Sequence, residues 1–271
     1  MEQLNNNVIG EFFEKLGILE ENDRDEFFKK IDEKHKVNLT QDLDLAVALR
    51  KDKGNGKIYT VKNKDLETTM DFAGYYYDLY RQFFAWFIDF KNSYDKNLDG
   101  KKILDLGCDN GITTCFIANL YPNSEIIGVD KCKKGIKCAE EIAQKLGVKN
   151  VKFEAVDAKK VDKFFKEEKF DLIVSNPPYI RKADIDGLDR QVKDFEPYNA
   201  LEGGEDGLDF YRKITKESKA FLKNKGILAY EVGHDQAQDV SQIMQENGFE
   251  GIYTKCDLQG FERVVIGFYN N

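Results

Sequence analysis

The sequence predicts an α/β fold: a mainly parallel sheet of seven strands ending in an antiparallel C-terminal hairpin, preceded by a small helical N-terminal part. Three observations carry this. From Gly100 onward, short apolar runs alternate with helical stretches in the βαβ manner. The last two runs, near 249–256 and 263–268, are joined too closely to be parallel neighbours. Residues 1–96 contain no proline and follow helical rather than strand periodicity. With 271 residues, 41% of them apolar, the chain can bury one large core and a smaller one, drawn here as 1–96 and 97–271.

In the N-terminal part, Val8, Ile9, Phe12, Phe13 and Leu16 form an apolar face that stops at Gly17. Asp23 or Asp25 can open a second helix carrying Phe27, Phe28 and Ile31, and Thr40 can cap a third. Phe72, Tyr76, Tyr80, Phe83, Phe87 and Phe90 then recur at spacings of three and four, which predicts an amphipathic helix with a wide aromatic face for core packing. Beyond Gly100 the strands read as 102–106, 125–129, 151–155, 170–174 and 226–232, with helices near 111–120, 133–146, 160–167, 207–222 and 235–247. A turn near Asp257-Leu258-Gln259-Gly260 closes the hairpin.

Composition excludes several classes. The net charge is −8, with 15 Lys/Arg against 19 Asp/Glu up to Lys96 and 26 against 30 after it. Neither part has the basic excess of a phosphate-backbone binder, so a protein or small-molecule substrate is favoured over bulk nucleic acid. The five cysteines (Cys108, Cys115, Cys132, Cys138, Cys256) form no CxxC pair and only His35 and His234 accompany them, so neither a disulfide frame nor a metal site is expected. Reduced thiols, a polar N-terminus and no membrane-length apolar run point to a cytoplasmic protein.

The chemistry gathers at strand ends. The first strand closes in Asp105-Leu106-Gly107-Cys108-Asp109-Asn110-Gly111, a glycine turn that lets backbone approach a nucleotide-type ligand. It is not a G-x-G-x-x-G loop: Asp109 stands at the middle glycine position. Asp130, at the second strand tip, can accept both hydroxyls of a ribose, and Asp157, after the third, can accept from an adenine amine. The fourth strand ends in Asn176-Pro177-Pro178-Tyr179, where two prolines halt pairing and hold the exit rigid. Asn176 offers an acceptor and a donor, and Tyr179 a flat face, which together suit a planar group bearing N–H bonds. A plain strand exit is the structural alternative for the motif, as a helix cap is for any one acid.

In this order over about 100–268, the motifs resemble the class I S-adenosylmethionine-dependent methyltransferases, whose sheet is Rossmann-like. There the Asn-Pro-Pro-Tyr motif marks transfer to a planar nitrogen. Phe195-Glu196-Pro197, Ala200-Leu201, Gly204–Leu208, Glu231-Val232-Gly233 with Gln236, and Asp257–Gly260 with Arg263 resemble the protein-(glutamine-N5) methyltransferases of peptide chain release factors. The Arg-Pro-Glu-Thr-Glu segment usual before the first strand of that family is absent.

The resemblance implies S-adenosyl-L-methionine as cofactor, held by Asp105, Gly107, Cys108, Gly111, Asp130, Asp157 and Asn176. It implies catalysis by Asn176, Pro177 and Tyr179, and substrate contact by Pro178, Tyr179, Glu196 and Pro197. It also implies a protein partner, with the helical N-terminal part helping to hold it. Asn176 and the Pro177 carbonyl would accept the amide N–H bonds, positioning the nitrogen and stabilising its growing positive charge without an ionisable base. Three other readings share these features: methylation of an exocyclic nucleobase amine in RNA or DNA, methylation of a small molecule or peptide, and a non-enzymatic or partner-dependent member of the fold with a weakened cofactor site.

Overall fold

The computed structural model describes residues 98–157, 161–165, 168–188, 198–256 and 260–270, together with Phe12, Lys15 and Phe87. The expected N-terminal helices, the aromatic helix apart from Phe87, the segment containing Glu196 and Pro197, and the hairpin residues 257–259 lie outside the described residues. The chain divides into two compact units, Met1–Asp89 with Leu258–Gly260 and Phe90–Asp257 with Phe261–Asn271.

In the second unit the order is β1 (Lys102–Leu106), α1 (Ile112–Leu120), β2 (Glu125–Asp130), α2 (Lys133–Leu146), β3 (Val151–Ala155), α3 (Val161–Phe164) and β4 (Phe170–Ser175). A 3-10 turn (Lys182–Gly187) precedes α4 (Tyr198–Leu201), α5 (Asp209–Ser218), β5 (Leu222–Glu231), α6 (Ala237–Glu246), β6 (Phe249–Cys256) and β7 (Glu262–Tyr269). The sheet has seven strands in the order β3-β2-β1-β4-β5-β7-β6. Strands β1 to β5 are parallel, and β7 runs antiparallel to both β5 and β6. The expected sheet, mainly parallel with an antiparallel C-terminal hairpin, is therefore the observed one.

The burial pattern explains the layering. β1 reads Ile103, Leu104, Asp105, Leu106, all buried, as a strand covered on both faces must. Leu104, Leu106, Ile127, Val129, Ile173 and Leu228 face one core with Val161, Tyr211, Ile214, Val240 and Met244 of α3, α5 and α6. On the opposite face Gly128 brings β2 close to α1: a Cβ there would lie 3.0 Å from the Thr114 hydroxyl and 2.8 Å from the Phe153 ring. Asn150 secures the end of α1, its amide donating to the carbonyls of Tyr121 and Ser124 at 3.0 Å each.

One expectation needs correcting. The helix drawn to 222 ends at Ser218, and β5 begins at Leu222 rather than at Gly226. Lys223-Asn224-Lys225 reads as a polar loop, and Lys225 does take φ 62, yet Leu222 pairs with Phe170 before an irregularity in the ladder. The fully buried Phe221 and Leu222 anchor this early start.

Candidate active site

Strand order reverses between β1 and β4, because β1 leads outward to β2 while β4 leads the other way to β5. In open α/β sheets the crevice at such a switch point, beyond the carboxyl ends of the strands, is where ligands bind. The two strands are also locked at this end. Leu106 pairs with Ser175, and the Ser175 hydroxyl donates to the Leu106 carbonyl at 2.7 Å. That contact sets Asn176 beside Gly107, the first residue of the glycine turn.

The turn folds toward β2, with the Gly107 and Cys108 amides donating to the Val129 carbonyl at 2.8 and 3.0 Å. Gly107 has φ 79 and, among the described residues, nothing within 4 Å of where a Cβ would stand, so its backbone can be approached from that side. Gly111 has φ 75 and no such room: a Cβ would fall 2.5 Å from that of Ala139. Asp109, at the middle glycine position, takes φ 46, a left-handed geometry that aspartate tolerates better than most residues. Its conformation meets what glycine would supply. Its carbonyl also needs Gly135 opposite, where a Cβ would approach to 2.9 Å.

Asp130 sits at the tip of β2, half-buried, and each of its oxygens already accepts one backbone N–H. Oδ2 accepts from Asp109 at 3.2 Å and Oδ1 from Cys132 at 2.7 Å. These bonds fix the carboxylate at the mouth of the turn and leave each oxygen a second lone pair. Asp157 follows β3 and is half-buried. Asp105 is placed differently, 3% exposed beneath the turn, with Oδ2 accepting from the Thr114 hydroxyl at 2.6 Å. Burial pushes its carboxyl up to about 7, against the pull of that hydroxyl and with a smaller push from Asp130. Cys108 and Cys115 are buried, and burial drives both thiols upward, Cys115 to about 12, as suits packing residues rather than nucleophiles. His234 lies exposed in the turn before α6, edge-on to Phe261 at 5.7 Å.

After β4, Asn176 is exposed, Pro177 buried, and Pro178 and Tyr179 half-buried. The following chain braces them. The Gln236 amide donates to the Tyr179 carbonyl at 2.9 Å and, more weakly, to that of Gly207 at 3.4 Å, while its oxygen accepts from Gly233 at 3.1 Å. Ile180 and Gly203 exchange a further contact, Gly203 N–H to the Ile180 carbonyl at 2.9 Å. Gly203 is required by proximity, since a Cβ would come within 2.7 Å of the Pro178 carbonyl.

Sequence reasoning did not anticipate the contact behind Asn176. Its Nδ2 donates to Oε2 of Glu231, 55 residues later at the end of β5, at 2.9 Å. Glu231 also meets Arg263 Nη2 at 3.4 Å. The signals were an acid near the end of the apolar run 226–232 and the place of Glu231 and Arg263 among the residues that carry the resemblance, neither of which names the partner.

Glycine turn, acidic strand tips and rigid Asn-Pro-Pro-Tyr exit thus gather at one edge of an α/β sheet, around its switch point. Residues 97–260 match the family model described as Methyltransferase domain, and the chain belongs to that family. Among its curated relatives, proteins named release factor glutamine methyltransferase are 40% identical in Fusobacterium nucleatum (63% of this chain, 48% of the relative) and 42% identical in Clostridium acetobutylicum (61% and 58%). Another, from Thermodesulfovibrio yellowstonii, is 39% identical over 62% of this chain and 59% of its own length. The chain thus spans about half to three-fifths of the length of these relatives. Among the described residues, no helix is long and apolar enough to cross a membrane.

Proposed function

We propose that this chain transfers a methyl group from S-adenosylmethionine to the side-chain amide nitrogen of a glutamine in a protein, of the kind carried by translation release factors. The observation that carries the reading is the bond from Asn176 to Glu231. A carboxylate can only accept, so it takes the nitrogen end of the Asn176 amide and turns the carbonyl end, Oδ1, toward an incoming N–H. An acceptor held in that sense suits a glutamine amide. The names of the relatives support the same substrate class.

Gly107, Cys108 and Gly111 of the turn, Asp130 and Asp157 beside it, and Asn176 would hold the cofactor, with Asp105 supporting the turn from below. The open space over Gly107 and the spare lone pairs of Asp130 fit a nucleoside there. S-adenosylmethionine, when bound, supplies a methyl group already activated on sulfur. Oδ1 of Asn176 and the Pro177 carbonyl accept the two amide N–H bonds, aiming the nitrogen and stabilising the positive charge that grows on it. Tyr179 stacks on the amide plane, with Pro178, Glu196 and Pro197 shaping the pocket. In this reading residues 1–96 help to hold the protein substrate, and residues 97–271 carry out the transfer. Such a reaction belongs in the cytoplasm, with translation.

The test is labelled methyl transfer to a release factor, to a peptide carrying its glutamine, and to nucleic acid. Wild type is expected to label protein. Asn176→Ala is expected to lower kcat by about 100- to 1,000-fold, a loss far larger than any accompanying weakening of cofactor affinity. Label in nucleic acid and none in protein would overturn the assignment.

A further inference from the structure

We infer that Glu231 and Arg263 form a positioning pair for methyl transfer, in which Glu231 dictates which end of the Asn176 amide meets the acceptor and Arg263 steadies both Glu231 and Tyr179. This rests on the glutamine reading above.

An asparagine amide has two flips of similar shape and opposite polarity. One presents the oxygen to the acceptor N–H bonds; the other presents N–H to N–H and repels them. Nothing in Asn-Pro-Pro-Tyr itself chooses between them. Glu231 does, because its Oε2 lies 2.9 Å from Asn176 Nδ2 and has no hydrogen to give in return. The carboxylate is itself well fixed. Glu231 is 7% exposed, its backbone carbonyl accepts from the Tyr211 hydroxyl at 2.9 Å, and its Oε1 meets Arg263 Nη2 at 3.4 Å.

Arg263 comes from the start of β7, where Val264 is the register partner of Glu231. The same Nη2 lies 3.4 Å from the Tyr179 hydroxyl, and the guanidinium carbon sits 5.8 Å from the centre of that ring. One cation thus joins the residue behind the acceptor oxygen to the residue that supplies the aromatic plate. A buried ion pair contributes little to stability over apolar packing, so stability alone is a poor reason for this one. Orientation is the better reason.

Glu231→Gln keeps the shape but can donate as well as accept, so it no longer enforces one flip. It is expected to lower kcat about 10- to 100-fold, with cofactor Kd unchanged within about twofold. Asn176→Asp sets two carboxylates together and should be nearly inactive. Adding Glu231→Gln to it reverses the hydrogen bond, removes the repulsion between the two carboxylates while one oxygen still faces the pocket, and should recover activity at least about tenfold over the single variant. Independently of activity, NMR of the Asn176 side-chain amide should show slow proton exchange in wild type and fast exchange in Glu231→Gln.

Wild-type kcat in Glu231→Gln, no recovery in the double variant, or an unprotected Asn176 amide in the wild type would each overturn the inference. If wild type methylates no glutamine, the functional reading fails, and the amide exchange still decides the orientation by itself. That measurement needs no variant that might misfold.

Discussion

Asp105 holds its carboxyl where water does not reach, and its protonation should be visible in the stability of the fold. Burial raises its pKa from 3.8 to about 7, with the Thr114 hydroxyl opposing and Asp130 adding to the rise. The folded chain therefore holds this proton more tightly than the unfolded chain does. Such a group contributes stability that is fully present below about 3.8 and is lost as the pH rises through about 7. At about 1.4 kcal/mol per pH unit, the whole span amounts to about 4 kcal/mol. Between about pH 5.5 and pH 8, about 2 kcal/mol of it should disappear. That window also avoids the pI of about 5.1, where solubility is poorest. Asp105→Asn keeps the shape and an oxygen for Thr114 but does not titrate. Urea unfolding of both proteins across the window should give a wild-type-minus-variant difference that falls by about 2 kcal/mol and then levels. A difference independent of pH would show that the carboxyl is not held neutral by burial.

The other site residues give distinct expectations. Asp130→Ala removes the proposed ribose acceptor together with two loop contacts, so calorimetry should show cofactor Kd rising about 30- to 1,000-fold, and an unchanged Kd would count against the ribose role. Gly111→Ala meets both a left-handed φ and Ala139, and should lose about 2–4 kcal/mol in chemical unfolding. Gly107→Ala has open space and should lose only about 1–2 kcal/mol of stability, with cofactor affinity falling further than in proportion. If the two glycine variants behaved alike, the open side of Gly107 would not be a binding surface.

Most of the fold was legible because it is written in local pattern. Helix α2 runs over Lys133–Leu146, the span its periodicity predicts, and it stops where Gly147 takes φ 70. Strand tips were legible for the same reason: apolar runs ended in Asp130 and Asn176 without ambiguity. The early start of β5 was not, because Leu222 is separated from the rest of its strand by Lys223-Asn224-Lys225, and its pairing to Phe170 is a tertiary fact. The roles of Thr114 under Asp105 and of Glu231 behind Asn176 were hidden likewise. Both are contacts between elements, and only the packed sheet brings their partners together. Asp109 shows the reverse case. As a letter it looked like a departure from the glycine pattern, yet its φ of 46 supplies the conformation that pattern demands.

The order of the last three strands bears on how the protein is made. β7 is synthesised after β6 but inserts between β6 and β5. Until it arrives, β6 has no neighbour, β5 ends in an open edge, and Glu231 lacks the cation that will sit beside it. A nascent chain can therefore complete the glycine turn, the acidic strand tips and the Asn-Pro-Pro-Tyr exit before Arg263 arrives beside Glu231 and Tyr179. The sheet would therefore close last, with a single strand slotting into the gap between β5 and β6.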